Sequence, residues 1–172
     1  MRIRPARATD AAAVAQVHVR TWQTAYAGIV PQPFLDALDV QEATRTWTTL
    51  LTGLTRPRTD VLLTEAETRI LAFAGFGPAE HAPHCAEIGT LYAHPDVWGT
   101  GIGRNLLAAT VTAMHRAAYT DATLWVLADN TRARRFYEAA GWRFDGTTAQ
   151  DHDGGAVLHK LRYGRPLAGT QE

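Results

Sequence analysis

The sequence predicts an α/β (α+β) fold of six to seven strands and about four helices, and three observations predict it. Short β-branched or apolar runs recur along the chain, several stretches repeat apolar residues at a period near 3.6, and a glycine-rich turn joins one such run to one such stretch. Arg2 to Ala6 reads as the opening strand. Thr9 and Asp10 then offer side-chain oxygens to a helix start, and Val14, Val17, Thr21 and Ala25 form one face that also carries His18 and, at its edge, Trp22. This helix should end before Gly28. Pro31 and Pro33 punctuate the chain before a second helix around Gln41 to Leu51, and Gly53 to Arg58 reads as loop.

Asp60 to Thr64 and Arg69 to Gly77 are runs separated by the charged Glu65-Ala66-Glu67-Thr68, which predicts an antiparallel hairpin. Pro78 to His84 is expected to be a loop, and Ala86 to His94 a fourth strand running into Pro95. After the turn at Gly99-Thr100-Gly101-Ile102-Gly103, Leu106, Leu107, Thr110, Val111, Met114 and Ala118 mark the inner side of a helix. Ala122 to Ala128 is a fifth strand, Asn130 a cap, and Ala133, Phe136, Tyr137 and Ala140 the stripe of a short helix stopped at Gly141. Trp142 to Gly146 and Ala156 to Leu161 close the list of strands, and Gly164 to Glu172 reads as a frayed tail. No repeat or linker divides the 172 residues, so one domain over 1–172 is expected.

Composition excludes several classes. Seventeen basic and seventeen acidic side chains cancel, leaving no net field to hold nucleic acid or an anionic membrane, and no apolar run reaches the length of a membrane helix. A single cysteine, Cys85, forms no internal disulfide, and the start carries no apolar signal-like run, so a cytoplasmic protein is expected. His81, His84 and Cys85 cluster in sequence, but three groups in a proline-broken stretch make a poor metal site, and no metal is expected.

A strand that turns through glycines into a helix aims unpaired amides and the positive end of the helix dipole at one point, which suits an anion. Arg104 stands where a dinucleotide fingerprint needs its third glycine, and no Lys-Ser or Lys-Thr pair follows as in a P-loop.

With these residues in view the sequence resembles the GNAT superfamily of acyl-CoA-dependent N-acyltransferases. Trp98-Gly99-Thr100-Gly101-Ile102-Gly103, followed by Leu106-Leu107, resembles the family's cofactor loop, with tryptophan where the family most often has Gln or Arg. Asn130 to Trp142 resembles its Asn, Ala, Phe-Tyr, Gly-aromatic signature. Trp22, Tyr26, Gly28 and Pro31 are similar to an early block of bacterial small-molecule members. The resemblance implies a single GNAT domain with a central mixed, mostly antiparallel sheet, bulged or splayed between the fourth and fifth strands. It implies acetyl-CoA as acyl-donor cosubstrate, held by the main chain of Gly99, Thr100, Gly101, Ile102, Gly103 and Arg104 and by Leu91 and Ala93, with Asn130 and Tyr137 bordering the thioester. A backbone amide near Leu91 or Tyr92 would face the developing oxyanion.

The implied activity is N-acetyl transfer to a primary amine of a small molecule by direct attack in a ternary complex. A protein N-terminus or lysine is the next acceptor, and a CoA-binding sensor without turnover is the rival. Tyr137 is the implied general acid; the alternative is a core tyrosine. Glu87 aligns with the general base of the protein-acetylating branch, against a solvated strand-edge carboxylate or proton transfer through water alone. Trp22 and Tyr26, four apart on one helix, either wall an acceptor pocket or pack in the core. His18 is expected to pack or line rather than catalyse, and Cys85 to carry no acyl group. Arg132, Arg134 and Arg135 are either a solvated helix face or a contact for the 3′-phosphate of CoA. A homodimer is the default that relatives suggest.

Overall fold

The computed structural model describes residues 1–80 and 82–167. Seven strands form one sheet: β1 (Arg2–Pro5), β2 (Asp60–Ala66), β3 (Arg69–Ala79), β4 (Ala82–Ala93), β5 (Asp121–Leu127), β6 (Arg143–Asp153) and β7 (Ala156–Pro166). Five α-helices accompany them: α1 (Ala11–Ala25), α2 (Gln32–Asp36), α3 (Val40–Thr52), α4 (Ile102–Arg116) and α5 (Thr131–Ala139). The strand order is β1-β2-β3-β4-β5-β7-β6, antiparallel except between β4 and β5.

The unbroken apolar runs of β2 and β3 are explained by burial on both faces. Along β2, Val61 and Leu63 pack with Val14, Val17, Trp47 and Leu51 of α1 and α3, whereas Leu62 joins Ile102 and Leu106 of α4 on the opposite face. Successive side chains of a strand alternate in this way, so one apolar run serves two helix layers. A third cluster joins Leu107 and Met114 of α4 to Leu124 of β5, Tyr137 of α5, Trp142 and Tyr163. The Val14, Val17, Thr21 stripe of α1 is buried as its period predicts, and the Asn130 side chain accepts from the Ala133 amide at 3.1 Å to start α5. Gly141, at φ 84°, takes the left-handed conformation that ends that helix.

Four expectations change. Asp10 does not cap α1: its carboxylate accepts from the Arg7 amide at 2.7 Å and from Arg4 at 2.7 and 2.9 Å, tying β1 to the short turn before the helix. The stretch Pro78 to His84 is no loop, because β3 and β4 extend until Ala79 pairs with Ala82; the prolines sit at the hairpin's end, where a missing donor costs little. Gln32–Asp36 forms a one-turn helix with Pro33 in its first turn, a position proline tolerates. The frayed tail does not begin at Gly164: β7 continues to Pro166, Leu167 is buried, and its amide donates to the Thr120 carbonyl at 2.8 Å. The remainder of that tail, and His81, lie outside the described residues.

Candidate active site

The site begins with a failure of pairing. β4 and β5 are paired only over Cys85 to Ile88 and Asp121 to Leu124. Opposite β3, Ile88 faces Phe76 and Thr90 faces Gly75, so Gly89 is an extra residue, a β-bulge. Thr90 Oγ1 accepts from the Gly75 amide at 3.1 Å, and a Cβ on Gly75 would lie only 2.9 Å from that oxygen, so the approach requires glycine. The expected splay of the fourth strand from the fifth thus begins at Gly89, and Leu91 and Tyr92 lie beyond it. Leu91 and Tyr92 remain in register with Ala74 and Phe73 because both can alternate between the two faces, whereas Gly89 has no side chain to misplace.

Beyond the bulge the strands part around a cleft of about 590 Å³. The His94 amide donates to the Leu71 carbonyl of β3, and by the two-residue alternation of a ladder Leu91 and Ala93 turn their main-chain groups toward the open side. The Ala93 carbonyl is already occupied, accepting from Trp98 Nε1 at 2.8 Å and Thr21 Oγ1 at 3.1 Å.

The glycine turn forms the cleft's far wall. Gly99 and Gly101 have φ of 78° and 87°, and a Cβ at either would meet nothing within 4 Å, so conformation rather than crowding demands glycine. Gly101 is the N-cap of α4 and no side chain caps the helix, which leaves its first-turn amides for a ligand. Gly99, Thr100, Gly101, Gly103 and Arg104 line the cleft; Ile102 is buried in the core beside them. Trp98 gives its indole N–H to Ala93, and the Arg132 guanidinium lies 3.4 Å from its ring centroid.

Tyr137 reaches the cleft from α5 and is 9% exposed. Burial, with the Tyr92 phenol close by, holds its pKa well above the usual phenol range. Asn130 lines the same wall while capping α5.

A second chamber of about 250 Å³ adjoins the first, and Tyr26, Ile88, Gly89, Trp125 and Val126 border both. Trp22, Glu87, Asp151, Asp153, Leu158 and Lys160 complete it. Trp22 and Tyr26 meet edge to face at 4.7 Å and also pack on Val30, Leu35 and Leu158, so wall and core packing are both realised. Burial pushes the Tyr26 phenol up, as do the nearby phenols of Tyr92 and Tyr137. Lys160 pairs with both oxygens of Asp151 at 2.8 and 2.9 Å. Glu87 is half-buried, and its carboxylate makes no hydrogen bond or ion pair with another described residue, while its main chain is paired in the sheet. The bulge thus brings Glu87 and Tyr137 to two sides of one junction.

Other candidates fall elsewhere. His18 stacks on Tyr92 at 5.2 Å and accepts from Trp47 Nε1 at 2.9 Å, and burial lowers its pKa; it lines neither chamber. Cys85 is buried outside both, its thiol raised by burial, and His84 beside it is exposed on the other face of β4. Arg134 is bonded to the Tyr163 hydroxyl at 3.2 Å and the Ala128 carbonyl at 3.1 Å, and Arg135 is exposed. Sequence reasoning missed Thr21, Trp125, Asp151 and Asp153. The alternation of β6, which turns Asp151 and Asp153 to one face, was the available signal.

Residues 18–142 match the model of the acetyltransferase (GNAT) family. A Mycobacterium tuberculosis protein bearing the name probable N-acetyltransferase is 30% identical over 150 residues, 86% of this chain and 83% of its own length. The PaiA N-acetyltransferase of Thermoplasma acidophilum, solved in complex with coenzyme A, superposes with a TM-score of 0.74 at 22% identity, covering 94% of this chain and 98% of its own. The yncA protein of Salmonella typhimurium, solved with its cofactor acetyl-CoA, gives 0.72 at 18% identity, covering 99% and 96%. At these identities the two structures speak for the fold.

Proposed function

The chain belongs to the acetyltransferase (GNAT) family and is an acyltransferase, and from this we propose that it moves an acetyl group from acetyl-CoA to the primary amine of a small molecule, by direct attack in a ternary complex, with residues 1–172 as one catalytic unit. The observation that carries the reading is the meeting of two chambers at the Gly89 bulge, one lined by the glycine turn and Tyr137, the other by Glu87, Trp22 and Tyr26. The larger chamber fits the donor. An uncapped helix N-terminus suits a diphosphate, and the open main-chain groups of Leu91 with the Ala93 amide suit a pantetheine arm.

Acetyl-CoA supplies a thioester whose carbonyl carbon bonds to the amine nitrogen as the C–S bond breaks. Tyr137 keeps its hydroxyl proton at working pH, because burial disfavours the phenolate, and gives it to the departing sulfur. Glu87 takes the proton of the incoming amine at a carboxylate oxygen, directly or through a water. The bulge at Gly89 leaves main-chain groups outside the ladder at the junction, where a developing negative charge needs a donor.

The volume of the second chamber, about 250 Å³ between Trp22, Tyr26, Trp125 and Leu158, supports a small acceptor over a folded protein surface. Thiol release from acetyl-CoA with a panel of small primary amines, against peptides with free N-termini or lysines, tests this. Turnover confined to peptides overturns the small-molecule acceptor. Initial-rate plots should intersect, and parallel plots with an acetylated Cys85 would overturn direct attack.

A further inference from the structure

Arg132 holds an odd position. It is the second residue of α5, where the helix dipole disfavours a cation, and no acidic side chain stands in that first turn to offset it. No carboxylate, carbonyl or hydroxyl of a described residue accepts a hydrogen bond from its guanidinium, while its neighbour Arg134 donates to the Tyr163 hydroxyl and the Ala128 carbonyl. Instead the guanidinium lies on the Trp98 ring, 3.4 Å from the centroid, inside the cleft that the glycine turn lines. The indole is itself fixed by the Nε1 bond to Ala93. A planar cation stacked on a ring keeps its N–H groups in plane and pointing outward, a fork suited to phosphate oxygens.

We propose that Arg132, seated on Trp98, is a ligand for the donor's diphosphate, gripping from α5 the group that the Gly99 to Arg104 amides hold from α4. The indole at position 98 cannot donate to phosphate while it is bonded to Ala93, so the cation comes from another element and Trp98 serves as its platform. An anion seated there also offsets the opposed dipole and the desolvation that lowers the Arg132 pKa. The inference rests on acetyl-CoA being the donor.

The test is calorimetric affinity for CoA and for dephospho-CoA, which lacks the 3′-phosphate, in the wild type and in Arg132→Gln. Both ligands should weaken by the same factor, about 10- to 100-fold for a lost charge-assisted bond pair. A loss confined to CoA would assign Arg132 to the 3′-phosphate and overturn the proposal, as would unchanged affinity for both. Failure of the wild type to bind CoA would instead bring down the donor reading itself. Trp98→Leu should weaken both ligands in the wild-type background and add little to Arg132→Gln. An equal loss in the two backgrounds would mean that Trp98 acts alone. Should Trp98→Leu melt at a lowered temperature, Trp98→Phe, which keeps a ring face, decides the same question, and it should retain most of the affinity.

Discussion

The two chambers that meet at Gly89 are built from different material. The larger draws half of its lining from one stretch between Gly89 and Arg104, which includes the glycine turn, an uncapped helix end and the open edge of one strand. The smaller is made of side chains from α1, β4, β5, β6 and β7, spread from Trp22 to Lys160. A site built on main-chain groups depends first on backbone conformation, as the left-handed glycines of the turn show. A side-chain site changes its chemistry with each substitution. Under the proposed function, the donor would be read chiefly by backbone geometry and the acceptor by residue identity.

Substitutions should separate the two halves. The largest effect is expected at the turn: Gly101→Glu forces a side chain into a left-handed conformation and sets a carboxylate against the diphosphate, so calorimetric affinity for CoA should fall by more than roughly 100-fold. A variant that folds and binds CoA normally would break the main-chain account. Tyr137→Phe keeps the ring packed but removes the proton donor, so kcat should fall about 100-fold with CoA affinity nearly unchanged. Because the Tyr137 phenol is held above the usual range, the wild-type kcat should show no loss from its ionisation up to about pH 10. A fully active phenylalanine variant would return Tyr137 to the core.

Glu87→Gln should cost roughly 10- to 100-fold in kcat/KM at neutral pH, recovering as rising pH deprotonates the amine itself. A loss independent of pH would make Glu87 a positioning group. Trp22→Ala and Tyr26→Ala should raise the acceptor KM by about two- to tenfold, in keeping with the loss of one aromatic contact, and leave the acetyl-CoA KM nearly untouched. If each raises both constants alike, the separation of the chambers is wrong.

The smallest effect lies outside both. His18 has its pKa lowered by burial, so below about pH 6.5 the unfolded chain binds a proton that the folded chain refuses. Stability is complete above that pH and is lost as pH falls through the depressed folded value. Melting temperatures from pH 7 to 5 should fall in the wild type and fall less steeply in His18→Gln.

How much of this could be read beforehand follows the same division. The glycine spacing of the turn, the Asn130 cap and the hairpin of β2 and β3 are local, and each was legible because neighbouring residues alone decide it. The pairing of Ala79 with Ala82 was not, since two prolines suggest a loop unless one knows that both strands overhang the sheet. Nor was the stacking of Arg132 on Trp98, which depends on α5 being laid beside the glycine turn by the intervening β5. The bulge was expected in the fourth strand without a position, because nothing local distinguishes a glycine that bulges from one that merely continues a strand. Asp151 and Asp153 reach the second chamber only because β6 is joined to the sheet through β7.

That strand order has a consequence for synthesis on the ribosome. β6 leaves the exit tunnel before β7, yet it has no place in the sheet until β7 has docked on β5. β5 meanwhile is held to β4 over only four paired positions. The nascent chain can thus assemble the glycine turn against the first four strands early, while the wall with Asp151, Asp153 and Lys160 closes last. A chain halted before β7 would have the glycine turn and the first chamber's β4 edge, but not the wall that β6 and β7 give the second chamber.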